Sequence, residues 1–301
     1  MFVRLVGPTH GKGAAGKWTD AATGEHGDLL DVIRESCGLV EFSDVAEEAR
    51  TFLSLPHPEP GHASSCPNGP SVPIGSPDAA RRLFAMARPI SGTLVETYLR
   101  ARGIVHLHDT GNLRFHPRCY YRPDENAPTQ TWPAMIAAVT DLDGRLTGAH
   151  RTWLARDGSY KAPIDTPRRA MGDLLGHAVR FGVAGEVMAA GEGIETILSL
   201  RCVVPSMPMV AALSAAHLSA ILFPHTLRRL YIVRDADPAG NSARDRLVER
   251  ATEAGFEAIV LSPGNGDFNE DLRLAGIDAL RAKVRVRLAP EDVTRFTAPI
   301  A

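Results

Sequence analysis

The chain has 301 residues, 44% of them hydrophobic and 23% charged, with a formal net charge of −2. That composition is ordinary for a globular chain and excludes disordered, collagen-like and disulfide-dense classes. There is no apolar run of membrane-spanning length and no basic-then-apolar leader, and Cys37, Cys66, Cys119 and Cys202 form no C-x-x-C pair, so a cytoplasmic protein with free thiols and no membrane partner is expected.

Charge is spread unevenly. Residues 1–77 carry 5 basic and 10 acidic side chains, residues 78–185 carry 15 and 10, and residues 186–301 carry 13 and 15. A basic middle beside an acidic C-terminal part suits work on a phosphate polymer. An arginine-rich solvated surface is the plainer reading, since 29 of the 33 basic residues are arginine.

In chain order, Phe2-Val3-Arg4-Leu5 reads as a short strand, followed by a turn rich in glycine (Gly7, Gly11, Gly13, Gly16). Gly11-Lys12-Gly13 lacks the remaining positions of a phosphate loop and is discounted. Gly27-Asp28 then precedes an apolar helix beginning Leu29-Leu30, and Phe42–Leu53 reads as a second helix with Ser43 as its cap. The Gly-Asp-helix segment resembles the back half of the zinc-binding domain that precedes primase cores, but the cysteine ligands are missing. Residues 1–55 are therefore expected to be a zinc-domain-like remnant without zinc. Residues 56–77 are rich in Pro, Gly and Ser and read as a linker. His57, His62 and Cys66 fall there at a spacing that matches no standard metal site.

The middle region, 78–184, opens with an amphipathic helix over Pro77–Arg88. Tyr98-Leu99-Arg100-Ala101-Arg102-Gly103-Ile104 follows. Leu113–Pro117 and Ala134–Val139 come next, the latter reading as a strand. Asp143-Gly144 centres a hairpin turn, and Gly148–Leu154 is the returning strand. Lys161 stands before Ala162-Pro163. This run resembles the start of bacterial-type primase catalytic cores, with their Y-L-x-x-R-G-I signature and a basic face beside an acidic site. On that resemblance Arg151 and Lys161 fit residue by residue and Arg114 fits less closely; all three are expected to hold phosphates.

In 185–287, three apolar runs each end in acids. Val187–Gly191 leads to Glu192-Gly193, Leu230–Val233 leads to Asp235-Ala236-Asp237-Pro238-Ala239-Gly240, and Phe256–Leu261 leads to Asp267-Phe268-Asn269-Glu270-Asp271. Each is followed by a helical pattern, Pro238 at a first helical turn with Asp237 as its cap. Acids gathered at one sheet edge repel unless a cation neutralises them. The combination of Glu-Gly, D-x-D-x-x-G and a third acidic loop resembles the Toprim domain of primases, topoisomerases and some nucleases. The resemblance assigns Glu192, Asp235 and Asp237 to metal, with Asp267 and Asp271 as further candidates and Gly240 as the motif glycine.

The fold expected is α/β with α+β N-terminal parts: a Toprim Rossmann-like parallel sheet packed against a basic mixed α+β primase-like subdomain, with 288–301 as a tail. By resemblance the chain is similar to the short primase cores of phages, plasmids and other mobile elements. That resemblance implies RNA primer synthesis on single-stranded DNA from nucleoside triphosphates, with Mg²⁺ (or Mn²⁺) at the acids, Arg151 and Lys161 on phosphate, and a replicative helicase as a separate partner. A Toprim nuclease using the same acids is the alternative, and a non-catalytic nucleic-acid-binding protein of a mobile element is the third reading. Elemental analysis of the purified protein should find no stoichiometric zinc; one zinc per chain would overturn this and point to His57, His62 and Cys66.

Overall fold

The computed structural model describes residues 2–3, 16–19, 26–38, 44–45, 48, 76–107, 110–123 and 127–297. The linker, with His57, His62 and Cys66, lies outside them, as does most of the helix expected over Phe42–Leu53. The chain divides into two units, Met1–Gly69 and Pro70–Ala301.

In the first unit, β1 (Phe2–Val3), β2 (Trp18–Thr19) and β3 (His26–Gly27) form an antiparallel sheet. The helix α1 (Leu29–Cys37) starts as its sequence suggests. Asp28 Oδ1 accepts from the Leu30 N–H at 2.9 Å, and Asp31 returns a carboxylate to the Asp28 N–H at 2.9 Å. Two of the donors a helix start leaves open are thereby satisfied.

The second unit opens with α2 (Pro77–Met86), capped by Ser76. It stops two residues short of the expected Arg88, because β4 (Arg88–Pro89) pairs with the next strand. Thr93 caps α3 (Leu94–Ala101), which carries the Tyr98-Leu99 pair inward. An antiparallel sheet follows: β5 (Leu113–Tyr121), β6 (Gln130–Thr140), β7 (Leu146–Trp153) and β8 (Arg168–Gly172), in the order β4-β5-β6-β7-β8. From Pro133 onward β6 is wholly buried, since both its faces are covered. Ala134 and Ile136 face a cluster with Trp153 and Ala80, while Met135, Ala137 and Val139 face a larger core. The hairpin expected at Asp143-Gly144 is present, with Gly144 at φ 79, where a side chain is disfavoured.

The second sheet is mostly parallel. Its strands are β9 (Val179–Phe181), β10 (Val187–Gly191), β11 (Met209–Ala211), β12 (Arg229–Val233) and β13 (Glu257–Leu261), in the order β13-β12-β10-β11-β9. Only β9, at the edge, runs antiparallel. The crossovers are α4 (Ile194–Arg201), α5 (Ala215–Ser219) and α6 (Pro238–Ala254). After β13 comes α7 (Phe268–Arg285). The β10 strand is buried along its whole length, as parallel strands covered by helices on both faces are. From β10 the chain steps to β11 on one side and then crosses to β12 on the other. This reversal opens a crevice at the carboxyl ends of β10 and β12, where ligands of open α/β sheets bind.

The expected tail over 288–301 is corrected. Residues Pro290–Phe296 form a helix, α8, that buries Asp292 and Phe296. Asp292 accepts from Arg229 at 2.8 Å and from the Tyr231 hydroxyl at 2.7 Å. A polar sequence hid this, because the anchoring groups are a carboxylate and an arginine far away along the chain. Replacing Asp292 with Ala should cost about 2–4 kcal/mol of stability, since a buried arginine contact and a tyrosine hydroxyl lose their acceptor. Urea denaturation measures this; a change under about 0.5 kcal/mol would mean α8 is not anchored there.

Candidate functional site

Three strands of the parallel sheet end side by side, with Gly191 opposite Val233 and Val233 opposite Leu261. Their loops are tied together. The Glu192 carbonyl accepts from the Leu213 N–H at 2.8 Å, and the Ala236 N–H donates to the Gly266 carbonyl at 2.8 Å. Leu213, at φ 78, is the one non-glycine with positive φ among the described residues. Such strain at the mouth of a crevice is held by its surroundings. Gly240 has a steric reason to be glycine: a Cβ there would lie 2.4 Å from the Asp235 carbonyl oxygen. The spacing D-x-D-x-x-G therefore lets the helix start fold back onto the strand end, which gives Gly240 a steric role.

The acids gathered here affect one another. Burial, followed by Glu192, Asp267 and Asp237, pushes the Asp235 carboxyl up to about 7, with only a Thr196 hydrogen bond opposing. Asp235 Oδ1 is buried and has no hydrogen-bond partner. Burial and then Asp237 raise Glu192, with Arg168 opposing. Asp237 and Asp267 also cap helices, accepting from the Gly240 N–H at 2.6 Å and the Glu270 N–H at 2.7 Å. Each carboxylate has a second oxygen for other use. Among the described residues no three His, Cys, Asp or Glu side chains form a ready-made metal cage. An open acidic cluster with an orphaned buried oxygen still fits Mg²⁺, which keeps several waters and takes only one or two carboxylates.

Asp271 requires a correction. Its carboxylate accepts from the Gly264 N–H at 2.7 Å, the Asn265 N–H at 2.9 Å, the Asn265 side chain at 2.8 Å and Lys283 at 2.7 Å. It clamps the third acidic loop and has no capacity left for a metal. Arg114 is likewise engaged: it donates to the Phe84 and Ala87 carbonyls and lies 4.3 Å over the Phe84 ring, holding the end of α2.

The other two expected phosphate ligands are separated. Lys161 reaches the parallel-sheet side, its Nζ 3.4 Å from Glu195 Oε1. Arg151 lies on β7, where alternation sends His150 to one face and Arg151 to the other with Ala149 and Trp153. Arg151 stacks 5.0 Å over the Trp153 ring. It lines a pocket of about 440 Å³ with Tyr120, Arg122, Thr129 and Arg169. Arg151 and Lys161, which the resemblance put on one basic face, thus have different surroundings, Arg151 against Trp153 and Lys161 beside Glu195.

Arg168, the first residue of β8, is the cation that sequence reasoning missed. It is exposed and acts on Glu192, Lys161 and His150. Its signal was the basic pair after Pro167, which carries no motif. Glu195, buried on α4, was also missed, because a glutamate in a helix normally reads as solvated.

Two stretches of the chain match known family models. Residues 187–278 match the family model of the Toprim domain, and residues 75–181 match that of a domain of unknown function (DUF7146). Among solved structures, the Aquifex aeolicus primase (zinc binding and RNA polymerase domains) is 15% identical over 95% of this chain and 80% of its own, with a TM-score of 0.49. A DNA primase domain from Pseudomonas aeruginosa is 14% identical over 71% and 79%, at 0.49. The primase fragment of the bacteriophage T7 primase-helicase protein is 12% identical over 74% and 82%, at 0.42. No curated protein matches.

The acid cluster predicts a pH signature. The folded value of Asp235, about 7, lies above its ordinary 3.8, so folding takes up a proton and stability falls as pH rises through that window. Without metal, Asp235→Asn should therefore melt higher than wild type at pH 8, by on the order of 1–2 kcal/mol after solvent screening. The two melting curves should converge below pH about 4. Parallel curves across the range would remove the repulsion argument.

Proposed function

We infer that the chain, whose residues 187–278 form a Toprim domain, is a primase-like nucleotidyltransferase that joins nucleotides on single-stranded DNA. The observation supporting this most is the pairing of two opposite features at one crevice. Glu192, Asp235, Asp237 and Asp267 act on one another at the strand ends, and Arg168 acts on Glu192 from the antiparallel sheet. Phosphoryl transfer needs both, a set of carboxylates for divalent cations and fixed cations for the phosphate oxygens.

In this reading Glu192, Asp235 and Asp237, with Asp267 beside them, hold Mg²⁺ or Mn²⁺. The metal, when bound, supplies charge neutralisation and acidifies the attacking hydroxyl. Arg168 and Lys161 receive the triphosphate as fixed charges. The pocket around Arg151, with Tyr120 and Trp153 among its walls, suits a stacked base and a neighbouring phosphodiester of the single strand. A replicative helicase remains a proposed partner, as does the cytoplasm as location; no helix of the described residues is long and apolar enough to cross a membrane.

Incubation with single-stranded DNA, nucleoside triphosphates and Mg²⁺ or Mn²⁺ tests the reading directly. Short primers are expected. DNA fragments would make the chain a Toprim nuclease, and neither product would make it a non-catalytic binder. Two variants test the division of cations. Arg168→Ala should raise the nucleotide KM roughly ten- to hundred-fold. Arg151→Ala should weaken DNA binding and flatten its salt dependence with little change in that KM. Equal effects of both on both measurements would refute the assignment of the two faces.

A further inference from the structure

Glu195 carries a negative charge in the interior of α4, a helix buried along its whole length. Burial alone pushes its carboxyl up, but Lys161, the Tyr98 hydroxyl and Arg102 outweigh this and hold it down at about 2. The partners come from separate elements. Tyr98, on α3, donates its O–H to Glu195 Oε1 at 2.6 Å. Lys161, beyond β7, approaches the same oxygen at 3.4 Å. Arg102 lies 4.9 Å over the Tyr98 ring and donates to Asn269 Oδ1 at 3.0 Å. Asn269 in turn donates to Ser199 Oγ at 2.9 Å, and Ser199 donates to the Glu195 carbonyl at 2.7 Å. The Tyr98 hydroxyl thus fixes the carboxylate, while the Asn269–Ser199 chain reaches the Glu195 backbone carbonyl and steadies the helix that carries it.

Lys161 is held differently. Its side chain is 26% exposed and that of Glu195 12%. One contact to Glu195 leaves the ammonium with donors to spare. The charged and titratable groups acting on Lys161 are Glu195, Arg168 and Arg102, and His150 of β7 adjoins the same cluster, its ring held neutral by burial at about 4. Set against Arg168 and Arg102, Glu195 is the anion that keeps Lys161 in place.

We propose that Glu195 is a positioning residue, which holds the Lys161 ammonium at the acid-lined crevice and is itself fixed by the Tyr98 hydroxyl. It acts through Lys161 and touches no substrate. The proposed consequence for binding rests on the triphosphate reading of the crevice; the Lys161–Glu195 relation does not. A lysine on a flexible stem loses entropy when it binds phosphate, and a partner that orders it beforehand reduces that loss.

Two measurements on the full chain test this. The first follows amine acylation of Lys161 against pH by mass spectrometry. Without the Glu195 charge, the ammonium keeps only burial and its cationic neighbours, so its pKa falls further. Glu195→Gln should therefore label Lys161 about tenfold faster at pH 8, while Lys283, paired with Asp271, labels as before. Unchanged Lys161 labelling would overturn the proposal. The second is a double-mutant cycle on Mg²⁺–ATP affinity by calorimetry. Glu195→Gln should weaken binding about tenfold in the parent chain and have no further effect in a Lys161→Met background. An equal loss in both backgrounds would mean Glu195 does not act through Lys161, and would also overturn the proposal. If the parent chain binds no Mg²⁺–ATP, the triphosphate reading fails, and the labelling arm still decides the positioning role.

Discussion

Like charges brought together in a half-buried crevice are the constraint on which the second unit depends. Asp235 stands among Glu192, Asp237 and Asp267 with one buried oxygen unpaired. The sheet imposes this arrangement: adjacent parallel strands end in register, so whatever follows each strand meets its neighbours. The surrounding structure restrains the repulsion without removing it. Two of the acids cap helices, the loops hydrogen-bond to one another, and Asp271 clamps the third loop by saturating its own carboxylate. What remains is a negative potential that Arg168 offsets at Glu192 and that a proton on Asp235 relieves below about pH 7.

The acidic half of the site was legible in the sequence because its signal is local. Strand, acid, glycine and helix follow one another within a few residues, and each loop can be read on its own. The cationic half was not, because it depends on which face of a strand a residue occupies. Arg151 and Lys161 look equivalent in one dimension, yet alternation along β7 puts Arg151 against Trp153, while the chain beyond that strand turns Lys161 toward Glu195. Arg114 looked like a phosphate ligand for the same reason, and is instead occupied by the end of α2. Arg168 had no motif to announce it.

Buried polar partners at long sequence separation were equally invisible. Tyr98 opens the Y-L-x-x-R-G-I signature and Glu195 follows the Glu192-Gly193 pair, and nothing in either stretch pairs them, yet they meet at 2.6 Å. The last helix shows the same effect: Asp292 reads as surface until Arg229 and Tyr231 are seen to converge on it. In both places the helical pattern indicated which residues form the element and gave no sign of what the polar side chain would find.

The stretches matched by two different family models share a core, besides a cluster that lies wholly in the first and another that lies mostly in the second. Val95, Leu99, Phe115 and Met135 from the first lie in one hydrophobic cluster with Ala189, Ile197, Phe268 and Leu272 from the second. The two stretches are therefore coupled through that shared core. A change of volume on one side must be answered on the other, because close-packed interiors do not absorb a methylene freely. Recombination that joined this acid-bearing segment to an unrelated neighbour would inherit its acids and lose the packing that aims them.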